Sequence, residues 1–192
     1  RQMCIRDRIH SFHEEYPDIS MEIFQGTYDD VVYWIKNGVV DVGFLSVSSA
    51  ADIPIEPLYK DPLLCVVQKG RRTSKEPMSI EEMKNCQFVT QRESTDADIQ
   101  NFMKENHLDV RSSYHVVDDL STVVMVANGF GICLMPEMVM KDIPYEVDCF
   151  PVKPDACRII GIAALNPANM APAVRTFYNR VLAMYQQEEY VK

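Results

Sequence analysis

The stretch DDLSTVVMVANGFGICLMPE, residues 118–137, decides how the rest of the chain is read. Leu120, Val123, Val124 and Ala127 recur at helical spacing and predict one apolar helix face. Asp118 or Asp119 can cap its start, because a short carboxylate accepts from backbone N–H groups that the first turn leaves unpaired. Asn128-Gly129 ends the helix, since the reversal needs a positive φ that glycine adopts at little cost. Gly131 keeps the turn tight. Ile132 to Met135 is then a short apolar run that reads as a buried strand, closed by Pro136, which lacks a ladder donor. By spacing alone this is a helix–turn–strand unit of an α/β protein.

Outward from it, the same alternation of helix and strand recurs. Ile9, Phe12, His13 and Tyr16 predict an amphipathic helix stopped by Pro17. Ile19, Met21 and Ile23 alternate with polar residues as a strand ending at Gly26. Thr27, with Asp30 three residues on, is a capping-box start for a helix burying Tyr28, Val31, Val32 and Ile35. Asn37-Gly38 ends that helix, and Val39 to Leu45 reads as a central strand, apolar on both faces except Asp41. This order implies parallel pairing through right-handed crossovers. Residues 53–61 read as an extended connection and Leu63 to Gln68 as a buried strand. A short helix near Ile80 to Lys84 and a strand at Gln87 to Gln91 follow. Next come a Ser94-Thr95 turn, a helix presenting Ile99, Phe102 and Met103, and a strand near Ser113 to Val117. Beyond residue 137, strands are expected at 145–152 and 158–165. A closing helix carries Val174, Phe177, Tyr178, Val181, Leu182 and Tyr185, with Pro172 in its first turn. Two α/β lobes of similar logic result, without a sequence repeat.

Composition sets outer limits. The 192 residues are 47% hydrophobic and 24% charged, ordinary for a globular protein, and carry a net charge of −9. That balance argues against this chain gripping a phosphate backbone. Arg71-Arg72 with Lys69 and Lys75 is the one basic cluster, read as a solvated loop. No run is apolar enough to span a bilayer, and the charged start RQMCIRDR does not read as an export signal. Cysteines stand at 4, 65, 86, 133, 149 and 157 without zinc spacing, so reduced thiols in a cytoplasmic protein are expected. His10 and His13 share a helix face but lack a third ligand. No nucleophile elbow, P-loop, dinucleotide fingerprint or HExxH appears. Asp118-Asp119 and Glu14-Glu15 read as caps and solvated faces, so no enzyme, cofactor or metal is expected.

Three segments, in order, resemble the effector-binding domain of LysR-type transcriptional regulators. DLSTVVMVANGFGICLMPE is similar to the family's V-(A/S)-x-G-x-G-I-x-L-(L/M)-P. FHEEYPDISMEIFQGTYDDVVYWIKNGVVDVGFLS, residues 12–46, is similar to its F-x-x-x-(Y/H)-P-x-(V/I)-x-(L/I)-x-(L/I)-x-x-G followed by L-x-x-G-x-(L/V)-D-(V/L). IEPLYKDPLLCVVQKG, residues 55–70, is similar to its crossover, L-x-x-(D/E)-P-L-x-(L/V)-(V/A). One departure stands out: where the family has an apolar strand, RQMCIRDR has no apolar alternation, which removes one wall of the expected ligand site.

The resemblance implies an α/β, two-lobed, periplasmic-binding-protein-like fold of type II, with mixed sheets flanked by helices, one lobe from residues 1–61 with 166–192 and the other from residues 62–165. It implies a small-molecule effector taken between the lobes at Thr27, Tyr28, Ser46, Ser48, Arg92, Ser94 and Thr95. Helix N-termini at the carboxyl ends of strands favour anions, so a small carboxylate is the expected class. Plain helix capping explains Thr27 and Thr95 equally well, Arg92 could be a surface charge, and Ser46 and Ser48 loop residues. A homodimer or tetramer is further implied, with Phe12, Ile23 and Phe102 at the interface. DNA would be met only through a winged helix-turn-helix domain that this chain lacks. A solute-binding protein of a transport system shares the fold and is the alternative.

Overall fold

The computed structural model describes residues 5–91, 97–108, 112–116, 118–141 and 143–186. Its helices are α1 (Ile5–Glu15), α2 (Tyr28–Lys36), α3 (Ile80–Lys84), α4 (Ala97–Glu105), α5 (Asp119–Ala127), α6 (Glu137–Met140) and α7 (Pro172–Gln186). Its strands are β1 (Gly43–Ser46), β2 (Ile55–Gln68), β3 (Met78–Ser79), β4 (Phe88–Gln91), β5 (Ser112–Val116), β6 (Cys133–Pro136), β7 (Val147–Lys153) and β8 (Cys157–Ala163). The chain divides into two compact units, residues 1–60 with 159–192 and residues 61–158. It passes from one to the other inside strands β2 and β8.

In the first unit, β1 pairs antiparallel with β8, Gly43 opposite Ala163. Ile35, Leu45, Ala50, Ile53 and Ala163 form its core with Tyr28, Val31 and Val32 of α2 packed on. A second apolar contact joins α1 to α7: the Phe177 ring meets Phe12 edge-on at 5.0 Å, and Phe12 stacks on Tyr16 at 4.8 Å. Two expectations fail here. Residues 19–27 form no strand, and β1 lies at the end of the sheet order rather than at its centre. Both have one cause. A strand at 19–23 needs a neighbour for its backbone donors and acceptors, and the residues before it, from Ile5 on, are helix. Period-two alternation without a partner leaves extended chain, with Ile23 70% and Phe24 43% exposed. The expected strand start at Val39 also moves to Gly43. Val39 and Val40 both donate to the Trp34 carbonyl, closing the end of α2, and Gly38 turns with φ of +67°.

In the second unit, β2 is flanked by β6 and β7, both antiparallel; Cys65 lies opposite Leu134 on one side and Phe150 on the other. β3 pairs parallel with β7, and β4 parallel with β5. Val89 donates to the Ile132 carbonyl and Ile132 to the Gln87 carbonyl, joining β4 to the segment that leads into β6. One core gathers Leu63, Cys65, Val67, Met83, Phe88, Phe102, Ile132 and Leu134. The other gathers Val66, Val89, Val123, Val126, Cys133 and Met135.

The 118–137 unit forms as expected, with one rotation. Asp118 caps α5 by accepting from Ser121 N–H at 2.8 Å, and Gly129 turns with φ of +83°. The buried face is Thr122, Val123 and Val126, while Leu120 is exposed. A helix reading VVMVA is apolar nearly all round, so its periodicity leaves the buried face open and the two sheets packed on it choose. Arg72 is also not a solvated loop residue. Its guanidinium bonds the Ser74 and Glu76 carbonyls and the Glu82 carboxylate, and lies 4.6 Å from the Phe150 ring centre.

Candidate effector site

Thr27 stands where the sequence places it, as the N-cap of α2. Its hydroxyl accepts from Asp30 N–H at 3.2 Å, and its own N–H and O–H donate to Asp30 Oδ2 at 2.9 and 2.8 Å. These bonds hold the Asp30 carboxyl below its usual range, the backbone bond from Thr27 contributing most. The consequence is chemical: the cap's donors are already spent on a carboxylate, and Asp29 adds a second charge to the first turn. An incoming anion has to replace Asp30 or use the remaining N–H groups of the turn. Gly26 is required by packing, since a Cβ there would stand 2.6 Å from Trp34 Cη2. Tyr28 packs against the first unit's core.

Ser46 ends β1 and is fully buried, its Oγ 3.0 Å from Ser48 Oγ. The short helical turn Val47–Ser49 follows, and the buried Ser49 Oγ has no hydrogen-bond partner. Three hydroxyls thus cluster after one strand of the first unit, and sequence reasoning named two of them. Arg92, Ser94 and Thr95 lie outside the described residues.

β4 and β5 are parallel, and at their carboxyl ends Thr90 lies opposite His115, with Thr90 Oγ1 3.0 Å from His115 Nδ1. The starts of α4 and α5 follow those strand ends in the chain, the arrangement in which open α/β sheets hold ligands. Ser121 N–H, through its bond to Asp118, holds that carboxyl below its usual range. A small cavity is lined by Thr90, Gln100 and Thr122 with Phe88, Val89, Ile99, Met103 and Leu134. Thr90 and His115 were missed from sequence. Their signal was available, since a strand near 113–117 following the one at 87–91 puts both residues near the same sheet edge.

The interface candidates divide. Phe12 is 1% and Phe102 6% exposed, so each belongs to the core of its own unit. Of the three, Ile23 presents its side chain to solvent. Burial pushes the Cys65 thiol up to about 12 and Cys133 up as well, as suits cysteines that act as small hydrophobes. Among the described residues no group of His, Cys, Asp or Glu gathers to hold a metal, and no helix is long and apolar enough to cross a membrane.

Solved structures similar to this chain include effector-binding domains. The chain superposes on the effector binding domain of QuiR, determined in complex with shikimate, with a TM-score of 0.82, 21% identity, and coverage of 97% of this chain and 92% of that one. It superposes on the regulatory domain of Synechocystis PCC6803 CcmR, in complex with 2-PG, with a TM-score of 0.85, 16% identity, and coverage of 95% and 91%. Among curated proteins it is 23% identical over 172 residues to the probable HTH-type transcriptional regulator LrrA of Synechococcus elongatus, covering 88% of this chain and 58% of the relative. It is 23% identical over 194 residues to the transcriptional dual regulator GltC of Bacillus subtilis, covering 94% and 63%. The chain therefore spans about three-fifths of the length of the curated relatives it matches. These relatives are transcriptional regulators, and the transport alternative finds no support among them. The fold is the type II periplasmic-binding-protein-like fold of these domains. With residues 2–186 matching the LysR substrate binding domain, the chain belongs to that family.

Proposed function

We propose that this chain is the effector-sensing part of a LysR-type transcriptional regulator and binds a small anionic metabolite, a carboxylate being the expected class. The observation that carries this is the match over residues 2–186 to a family of binding domains. The half-buried Thr27 at a helix start, and the buried Ser46 at a strand end with the exposed Ser48 beside it, support it. So do the similar domains held with shikimate and with 2-PG. Arg92, Ser94 and Thr95 complete the proposed contact set from the second unit, where Arg92 can pair with a carboxylate bidentately. The effector biases the domain toward one conformation by its differential contacts, and the intact regulator passes that bias to a winged helix-turn-helix domain that meets DNA. The regulator works in the cytoplasm as a homodimer or tetramer, with Ile23 at the subunit contact.

Trp34 is the sole tryptophan and lies against Gly26, next to Thr27, so its fluorescence reports on this site. Titration with a panel of small carboxylic acids, shikimate included, is expected to give a saturable change for at least one acid. At a hundred times its dissociation constant that acid adds about 2.7 kcal/mol of stability, a melting shift on the order of 5–10 °C. Thr27→Val and Thr95→Val should each weaken binding at least tenfold, about 1.4 kcal/mol. A shift that survives both substitutions places the ligand elsewhere and refutes the assignment.

A further inference from the structure

The second unit begins at Asp61 and ends at Arg158, and these two residues are bonded to each other. Arg158 Nε donates to Asp61 Oδ2 at 2.9 Å, and Met138 N–H, at the start of α6, donates to Asp61 Oδ1 at 2.9 Å. Asp61 is 0% and the Arg158 side chain 10% exposed. A buried carboxylate and guanidinium are expensive to desolvate, and an apolar pair of similar volume would often serve stability as well or better. What the ion pair adds is geometry: two directional bonds fix Asp61 of β2 against both β8 and the turn after β6. We propose that Asp61 and Arg158 form a clasp that closes the second unit at both of its chain ends and holds β2 and β8 together where they leave it.

Several features support a clasp over a plain core contact. The chain crosses between units twice, immediately before Asp61 and immediately after Arg158. Both crossings lie inside strands rather than in loops, so their freedom depends on what anchors those strands. The Met138 bond ties the same anchor to the element following β6, and Leu63 pairs opposite Pro136 two residues from Asp61. The charged groups that bear on Asp61 are Arg158 from β8 and Glu137 from α6, and Glu137 in turn has Lys141 at 3.6 Å. This inference is independent of the effector and of its contact residues.

The test uses the whole 192-residue chain without ligand and reads amide hydrogen exchange by mass spectrometry. The key variant is the double substitution Asp61→Leu with Arg158→Met, which leaves no uncompensated buried charge. A clasp predicts that exchange in residues 57–62 and 157–162 rises at least tenfold, while α5 and α7 exchange as in the parent chain. Arg158→Lys keeps the charge but loses the Nε donor and should show the same local pattern to a smaller extent. Unchanged exchange at the crossings in a folded double variant overturns the proposal. A uniform rise across the second unit also overturns it, because that is the signature of a core contact. If the double variant does not fold, Arg158→Lys decides by the same two criteria.

Discussion

Arg72 shows how a single side chain can organise a loop that composition alone assigns to solvent. Its guanidinium gathers two carbonyls, one carboxylate and one aromatic face, which only a planar fork of five donors can do. Hydrogen bonds to charged groups contribute about 1.5–3 kcal/mol in favourable settings, and the half-exposed Glu82 partner lowers that figure. Arg72→Ala is expected to cost about 2 kcal/mol by urea unfolding, and Arg72→Lys to recover less than half, because an ammonium cannot reproduce the fork. Gly131 makes the complementary case on the backbone. A Cβ there would sit 2.5 Å from the Gln87 carbonyl oxygen, in the contact that joins β4 to β6. Gly131→Ala should therefore cost at least about 2 kcal/mol, whereas Gly38→Ala, where nothing lies within 4 Å, should cost only about 1 kcal/mol for its φ of +67°.

At the scale of elements, three helices share one device. Thr27 with Asp30, Ser79 with Glu82, and Asp118 with Ser121 N–H close the starts of α2, α3 and α5. In each the carboxylate accepts a backbone N–H, which holds Asp30, Glu82 and Asp118 below their ordinary values. The sign follows. A depressed carboxylate contributes stability above its unfolded pKa and loses it as pH falls through the folded one. Melting temperature should drop as pH is lowered through and below the ordinary carboxylate range, and Asp118→Asn, which keeps the acceptor without the charge, should flatten that slope. Asp61 acts in the opposite sense. Burial raises its pKa despite Arg158, so its contribution is present below the unfolded value and lost as pH rises through the folded one. A slope unchanged in Asp118→Asn would show that the α5 cap does not carry the acid response.

For the whole molecule, the interface candidates separate assembly from folding. Phe12 packs on Tyr16 and Phe177 within its own unit, so Phe12→Glu places a charge in a core and should cost about 4 kcal/mol or more. Its effect on sedimentation would then report unfolding. Ile23→Glu changes a side chain that is mostly exposed, and its melting temperature should stay within a few degrees of the parent. If Ile23 lies at a subunit contact, that variant shifts a dimer toward monomer in sedimentation velocity at unchanged stability. A dimer that persists in Ile23→Glu removes Ile23 from the interface.

Local chemistry decided much of this protein in advance. The caps at Thr27 and Asp118, the turn at Gly129, the strand closed by Pro136 and the family resemblance of three segments are all set by neighbours a few residues apart. Such features survive without knowledge of distant contacts. What needed the tertiary structure was every choice among partners far along the chain. Residues 19–23 carry a strand's alternation, but a strand exists only with a neighbour, and the preceding residues are helical. The apolar run of α5 offers several faces, and the sheets packed on it selected Thr122, Val123 and Val126. Phe12 and Phe102 have the chemistry of interface anchors, yet their own units bury them first. The Asp61–Arg158 bond joins residues 97 apart in the chain, a separation over which no periodicity or motif carries information.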